Sequence, residues 1–265
     1  MSTGDLLGIQ PGEGRTTVFT TPIGRMLDYA VALAFDDSLL LLSGGNDQSR
    51  LVRWLRKYIF FNDDVQLTDE SPATAMLGIF GANAGDLAEG LHAGASQMTR
   101  YAHRSVGSGA LVKAAPLQGD GYYLVNPPQA AEGLRAFAPV GDYEDLRIRA
   151  GYPGFPNEIS QDHIPLEAGL LGAVSFSKGC YIGQEIIARM ESRGQLARRL
   201  VMIQCDAAMQ AGEEVKVNGN AVGLITSATS DGRAALAYLR SAVALVGQEL
   251  RVGENAARVA GLARL

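Results

Sequence analysis

One short run carries most of the chemistry in this chain: Lys178-Gly179-Cys180-Tyr181-Ile182-Gly183-Gln184-Glu185. The apolar and helix-forming residues Ile182, Ile186, Ile187 and Met190 begin directly after Cys180, which puts the thiol at a helix N-terminus. A helix dipole and a nearby lysine, here Lys178, both favour thiolate and lower a thiol pKa. Gly179 and Gly183 would let another backbone or a flat ligand come close. Glu185 and Arg189 are four apart and can pair on one helical face. The same residues also suit a buried structural cysteine with glycines for tight packing, since free cysteine is often buried. The second cysteine, Cys205, lies in a strand pattern and reads as a core residue.

The rest of the composition narrows the setting. The chain has 265 residues, 47% of them apolar and 19% charged, which suits a globular protein and not a disordered one. A net charge of −5 argues against wholesale coating of nucleic acid, leaving only local basic patches. Two cysteines give no disulfide framework and point to a reducing compartment. The start, Met1 to Asp5, has no signal-peptide character, and no apolar run reaches the roughly 20 residues that span a bilayer. The expectation is a cytoplasmic protein without a membrane partner. His92, His103 and His163 lack metal-ligand spacing, so a zinc site is not expected.

The elements that must position Cys180 can be read in order. Thr16 to Thr20 and Met26 to Phe35 form a hairpin around Thr21-Pro22-Ile23-Gly24, and Ser38 to Leu42 follows as an apolar strand buried on both faces. Leu51, Trp54, Leu55, Tyr58 and Ile59 mark a helix over 46–60, with Arg50, Arg53, Arg56 and Lys57 mostly off that stripe. Strands are expected at Val65 to Leu67, Thr74 to Phe80, Leu111 to Ala115 and Tyr122 to Val125. Asn83 and Asn126-Pro127 are helix starts, the second leading to Leu134 and Phe137. Asp142 caps a short helix through Arg147 that ends at Gly151. Residues 151–176 are broken by Pro153, Pro156 and Pro165, and a long irregular stretch in a compact protein is usually functional or a linker.

Beyond about residue 196 the texture becomes short strands: Leu200 to Gln204, Glu213 to Val217, Ala221 to Ala228, Arg233 to Leu239 and Glu249 to Val252. Asn218-Gly219 is a hairpin turn between two of them, and the set suggests a small β-barrel. The expected organisation is an α+β body over 1–195, in two subdomains, and a C-terminal β-barrel over 196–265.

The stretch Ser175-Phe176-Ser177-Lys178-Gly179-Cys180-Tyr181-Ile182-Gly183-Gln184-Glu185-Ile186-Ile187-Ala188-Arg189 resembles the signature of YgfZ-type folate-binding proteins, relatives of the glycine cleavage T-protein, an aminomethyltransferase. Leu146 to Gly151, Asn157-Glu158-Ile159, Ile164 to Gly169 and Thr20 to Leu27 are similar to further landmarks of that family, so the likeness covers most of the chain. The family usually begins with a strand and helix ahead of the segment matching Met1 to Gly14, so a shortened N-terminal edge is expected.

The resemblance implies a cloverleaf-like folate-binding body followed by a barrel, with tetrahydrofolate or another reduced folate as cofactor. Asp28 matches the hairpin aspartate that assists one-carbon transfer, and Arg147 the arginine that contacts folate. Leu40, Leu42, Tyr123, Glu158, Lys178 and Gln184 complete the implied folate-binding set. The family's tyrosine and pterin-gripping glutamate correspond to Leu40 and Tyr123, and its asparagine to Gly44. These departures turn the expectation from glycine cleavage toward an accessory protein for assembly or repair of iron–sulfur enzymes, with Cys180 as functional thiol. The alternative is a folate-dependent aminomethyl- or methyltransferase using Asp28. Implied partners are folate, iron–sulfur client enzymes and a weak tRNA contact through Arg189, Arg193, Arg198 and Arg199.

Overall fold

The computed structural model describes residues 1–45, 48–117, 119–127 and 143–263. The chain divides into two compact units. One holds Asp5–Thr17 and Ala30–Val140; the other holds Ser2–Gly4, Val18–Tyr29 and Gly141–Leu265. The expected boundary at 195/196 falls inside the second unit.

In the first unit, alternation and β-branching produce the expected hairpin strands, β1 (Gly14–Thr20) and β2 (Met26–Ala34), whose distal parts lie in the second unit. β3 (Leu39–Ser43) pairs antiparallel with β2 at the sheet edge. The expected double-sided burial of β3 does not occur: Leu39 is 50% exposed and Leu40 to Leu42 are half-buried. A strand at a sheet edge has a neighbour on one side only, which its four leucines do not reveal. α1 (Gln48–Arg56) is shorter than its apolar stripe suggested. A four-stranded sheet follows in the order β4 (Met76–Gly81), β7 (Asp120–Val125), β6 (Gly109–Lys113), β5 (His103–Val106). α2 (Ala84–Leu91) buries Ala84 and Ala88 in the cluster of Ile79, Leu111, Tyr122 and Leu124. Val65 to Leu67 is not a strand, and the helix expected around Leu134 and Phe137 lies outside the described residues.

In the second unit α3 (Tyr143–Ala150) ends at Gly151, with φ +77°. The irregular stretch after it holds a single 3-10 turn, Leu171–Ala173, and leads to α4 (Gln184–Arg193). Six strands then close a barrel: β8 (Arg198–Cys205), β9 (Glu214–Val217), β10 (Asn220–Ala228), β11 (Ala234–Arg240), β12 (Glu249–Val252) and β13 (Asn255–Leu262). β13 was not legible as a strand; its Ala-Ala-Arg-Val-Ala run is only weakly apolar. Val201, Ile203, Cys205, Val215, Ile225, Leu239, Leu250 and Val259 fill the barrel interior. β11 is buried on both faces: Ala235, Ala237 and Leu239 point inward, while Leu236 and Tyr238 pack outside against Ile148, Ile159 and Leu170.

Candidate functional site

The thiol loop is assembled from three pieces of the second unit. Thr3 staples the N-terminal segment: its amide oxygen accepts from Ser175 N at 2.9 Å, and its hydroxyl donates to Ala173 O at 2.6 Å. Lys178 then reaches that segment, its ammonium donating to Ser2 O at 2.8 Å and Gly4 O at 3.1 Å. On the other side Thr20 Oγ1 donates to Ile182 O at 2.5 Å. The turn Thr21–Arg25 abuts the start of α4, where a Cβ on Gly183 would meet Thr21 O and Gly24 Cα at 2.7 Å. Gly183 also has φ +82°, so glycine is required there twice over. Gln184 reaches back, its Oε1 accepting from Tyr181 N at 3.3 Å.

Cys180 is exposed on this braced loop and free, while Cys205 is buried in the barrel. The thiol is not at the first helical position: α4 begins four residues later, at Gln184, because the left-handed turn at Gly183 intervenes. Lys178 is committed to backbone carbonyls of the N-terminal segment. Gly179 has nothing within 4 Å of where its Cβ would stand, so packing does not demand a glycine there. Tyr181 turns inward against Val174 and Ile187; its hydroxyl is buried with no hydrogen-bond partner among the described residues, and burial raises its pKa.

Asp28 on β2 is 3% exposed, so it is not an edge carboxylate facing water. Its Oδ1 accepts from Tyr29 N at 2.8 Å. The strand is held two residues earlier, where Met26 N donates to His163 O at 3.0 Å.

Arg147 is 4% exposed and its guanidinium is fully employed by the protein. Nε donates to both Glu144 carboxylate oxygens at 2.9 Å. Nη1 donates to Tyr152 O at 3.1 Å and Glu158 Oε2 at 3.0 Å. Nη2 donates to Glu144 Oε2 at 2.5 Å and Ser227 Oγ at 3.1 Å. A guanidinium has five N–H donors, and each has an acceptor here. Burial opposes the charge, but the Glu144 hydrogen bonds and the carboxylates of Glu158 and Glu144 outweigh it and raise the pKa. Glu158, fully buried, accepts from Gly154 N at 2.9 Å and from Ser227 Oγ at 2.6 Å. A Cβ on Gly154 would lie 2.5 Å from the Arg147 Cζ. The expected reach of Arg147 to a folate carboxylate is therefore taken by Glu144, and Glu158 serves the arginine. The pair joins α3 and the 152–158 turn to β10.

A second polar group escaped sequence reasoning. The His163 ring stacks on Tyr238 with centroids 3.4 Å apart, and its Nδ1 stands 3.7 Å from Glu167 Oε2. Arg25 approaches the same oxygen at 3.7 Å, and Ile164 N donates to it at 3.2 Å. Burial raises the Glu167 pKa, but His163, the Ile164 amide and Arg25 together bring it below its ordinary value. Tyr238 Oη donates to Glu158 O at 2.8 Å; burial, then the charges of Glu158 and Glu167, hold its proton on firmly. The available signal was polar or aromatic residues, Ser227 and Tyr238, inside strongly apolar strands.

The remaining expected residues lie in the first unit. Tyr123 is half-buried on β7, with its ring edge-on to Phe80 at 5.7 Å. Leu40 and Leu42 are half-buried on β3. Among the described residues no group of three or more His, Cys, Asp or Glu side chains is placed to hold a metal ion. No helix among them is long and apolar enough to cross a membrane.

Comparison with known proteins places this architecture. A family profile described as the CAF17 C-terminal beta-barrel domain matches residues 198–262. A chloroplastic protein of Arabidopsis thaliana, named as a transferase, is 30% identical over 276 residues, covering 96% of this chain and 63% of the plant protein. The chain thus spans a little under two thirds of that relative. The aminomethyltransferase of Nostoc sp. (strain PCC 7120) is 27% identical over 274 residues, covering 94% of this chain and 72% of its own. The crystal structure of glycine cleavage system aminomethyltransferase T from Bartonella henselae has the same fold, with a TM-score of 0.79 at 20% identity over 97% of this chain and 77% of that one. The chain is a homologue of the aminomethyltransferase T-proteins that carries a CAF17/YgfZ-like C-terminal barrel.

Proposed function

We propose that this protein binds tetrahydrofolate or a related reduced folate and supports assembly or repair of iron–sulfur enzymes, with Cys180 as its functional thiol. The observation that carries the reading is the exposed Cys180 on a loop braced from both sides, beside a Gly179 that packing does not require. A cysteine kept only for packing would be buried, as Cys205 is. One thiol cannot hold a cluster, which takes four protein ligands, so a client enzyme or small thiols complete any cluster contact. The two free cysteines suit a reducing compartment such as the cytoplasm.

The folate half of the proposal rests on homology to the aminomethyltransferases and on Asp28, whose buried carboxylate can hold a hydrogen bond or proton at the ligand. When bound, a reduced folate supplies the one-carbon carrier. Arg147 and Glu158 stay proposed contacts from the resemblance, with the exposed Glu144 as the partner that a ligand carboxylate would displace. Leu40, Leu42, Tyr123, Lys178 and Gln184 remain proposed contacts from the resemblance, and alanine substitution tests each separately.

Buried Asp28 also favours a second reading, a folate-dependent aminomethyl- or methyltransferase. Titration of reduced folates against wild type, Asp28→Asn and Cys180→Ala, with complementation of a deletion strain, decides between them. The accessory reading expects Cys180→Ala to bind folate and fail to complement; full complementation sinks it. The transferase reading expects turnover that Asp28→Asn abolishes.

A further inference from the structure

The outer face of the barrel carries an open groove of about 1020 Å³ that none of the chemistry above uses. Five cations line it, Arg149, Lys216, Arg233, Arg251 and Arg258, against two acids, Asp206 and Glu249. The lining is net positive in a chain whose net charge is −5. Lys216 on β9 and Arg251 on β12 stand directly opposite each other in the sheet register. Like charges in opposite positions repel and destabilise a sheet, and a bound anion would relieve that repulsion. Arg258 on β13 faces Gln204 on β8 and Glu249 on β12, extending the row across four strands. Neighbouring strands lie about 4.8 Å apart, so the row runs roughly 14 Å.

The lining also says what the occupant lacks. It contains no aromatic residue, so it offers neither a base-stacking platform nor the aromatic anchor of a protein-binding hot spot. Four of the five cations are arginines, whose planar fork matches phosphate oxygens in pairs. Four of the five cations have partners at the exposed surface, two of them carboxylates: Arg149 with Asp231 at 2.7 Å, Lys216 with Glu214 at 3.4 Å, Arg251 with Glu254 O at 2.9 Å and Arg258 with Gln204 at 3.2 Å. Exposed ion pairs exchange readily for a multivalent anion. The geometry points to a groove for the sugar–phosphate backbone of a nucleic acid, gripped without reading its bases.

The test is fluorescence anisotropy of a labelled oligouridylate of about 12 nucleotides, titrated with the full chain between about 50 and 200 mM salt. Three or four phosphate contacts give a log–log salt slope of about −2 to −3. The double variant Lys216→Gln, Arg251→Gln is expected to weaken binding about tenfold or more, with a melting curve unchanged or raised, because the opposed like charges are gone and both positions alternate with the barrel-interior Val215, Leu250 and Val252. Glu249→Gln is expected to tighten it, by removing one of the two acids that line the groove. An oligodeoxyadenylate of equal length should bind about equally, since bases are not read. No binding at low salt overturns the proposal, as does binding that these variants leave unchanged, which would place the contact elsewhere. Stronger binding of polyglutamate or inorganic polyphosphate at equal charge would also overturn it, by assigning the groove to another anion.

Discussion

Gly183 and Gly24 meet backbone to backbone: a Cβ built on Gly183 would lie 2.7 Å from the Gly24 Cα. The turn of the first hairpin and the entry to α4 are thereby locked together, and the Cys180 loop hangs from that lock. Gly183→Ala should cost about 2–4 kcal/mol, from a left-handed backbone plus a backbone clash. Gly179→Ala has open space and should leave the melting temperature nearly unchanged. Thermal melts of the two variants side by side test the contrast, and equal losses would contradict it.

Removing Arg147 leaves the fully buried Glu158 carboxylate without a cation, whereas removing Glu158 leaves Arg147 still held by Glu144. Arg147→Ala should lose about 3–5 kcal/mol in urea unfolding, and Glu158→Ala less. A loss below about 1 kcal/mol for both would show that the node does not hold α3 and β10 together.

Glu167 has a folded-state pKa below its ordinary value, so the unfolded chain takes up its proton first as pH falls. The stability this supplies is complete above the unfolded pKa, about 4.3, and is lost as pH drops through the lower folded value. Wild type should therefore lose stability on acidification below about pH 4.3 more steeply than Glu167→Gln. Parallel acid limbs in denaturant titrations of the two proteins would count against the contact with His163 and Arg25.

Alkylation separates the two thiols. Iodoacetamide should add once to the native protein, at Cys180, and twice after unfolding, because Cys205 Sγ is buried and donates to Ala256 O at 3.2 Å. Peptide mass spectrometry reads this directly; native modification of Cys205 would mean the barrel opens.

Much of this architecture could be read from residues alone. Hairpin strands, α3, α4 and five of the barrel strands follow from alternation, turn chemistry and glycine stops. The T-protein-like fold and the barrel followed from the Cys180 run and its neighbouring landmarks. What stayed hidden depends on partners far apart in the chain. The fate of Arg147 is decided by Glu144, Glu158 and Ser227, and no spacing rule links residues 147 and 227. The left-handed turn at Gly183 moved the helix start past Cys180, because a glycine in a helical pattern does not disclose its φ. β3 looked doubly buried because four leucines describe their own polarity and not the presence of a neighbour.

The two-sided burial of β11 limits what can be done with the barrel as a part. Cut loose at residue 196, it would carry Leu200, Leu236 and Tyr238 as a naked apolar flank, together with a stranded Ser227 hydroxyl. A graft between relatives would have to move residues 143–170 along with the strands. The transferable piece is the strands together with that covering segment, and inheritance would be expected to keep the two together.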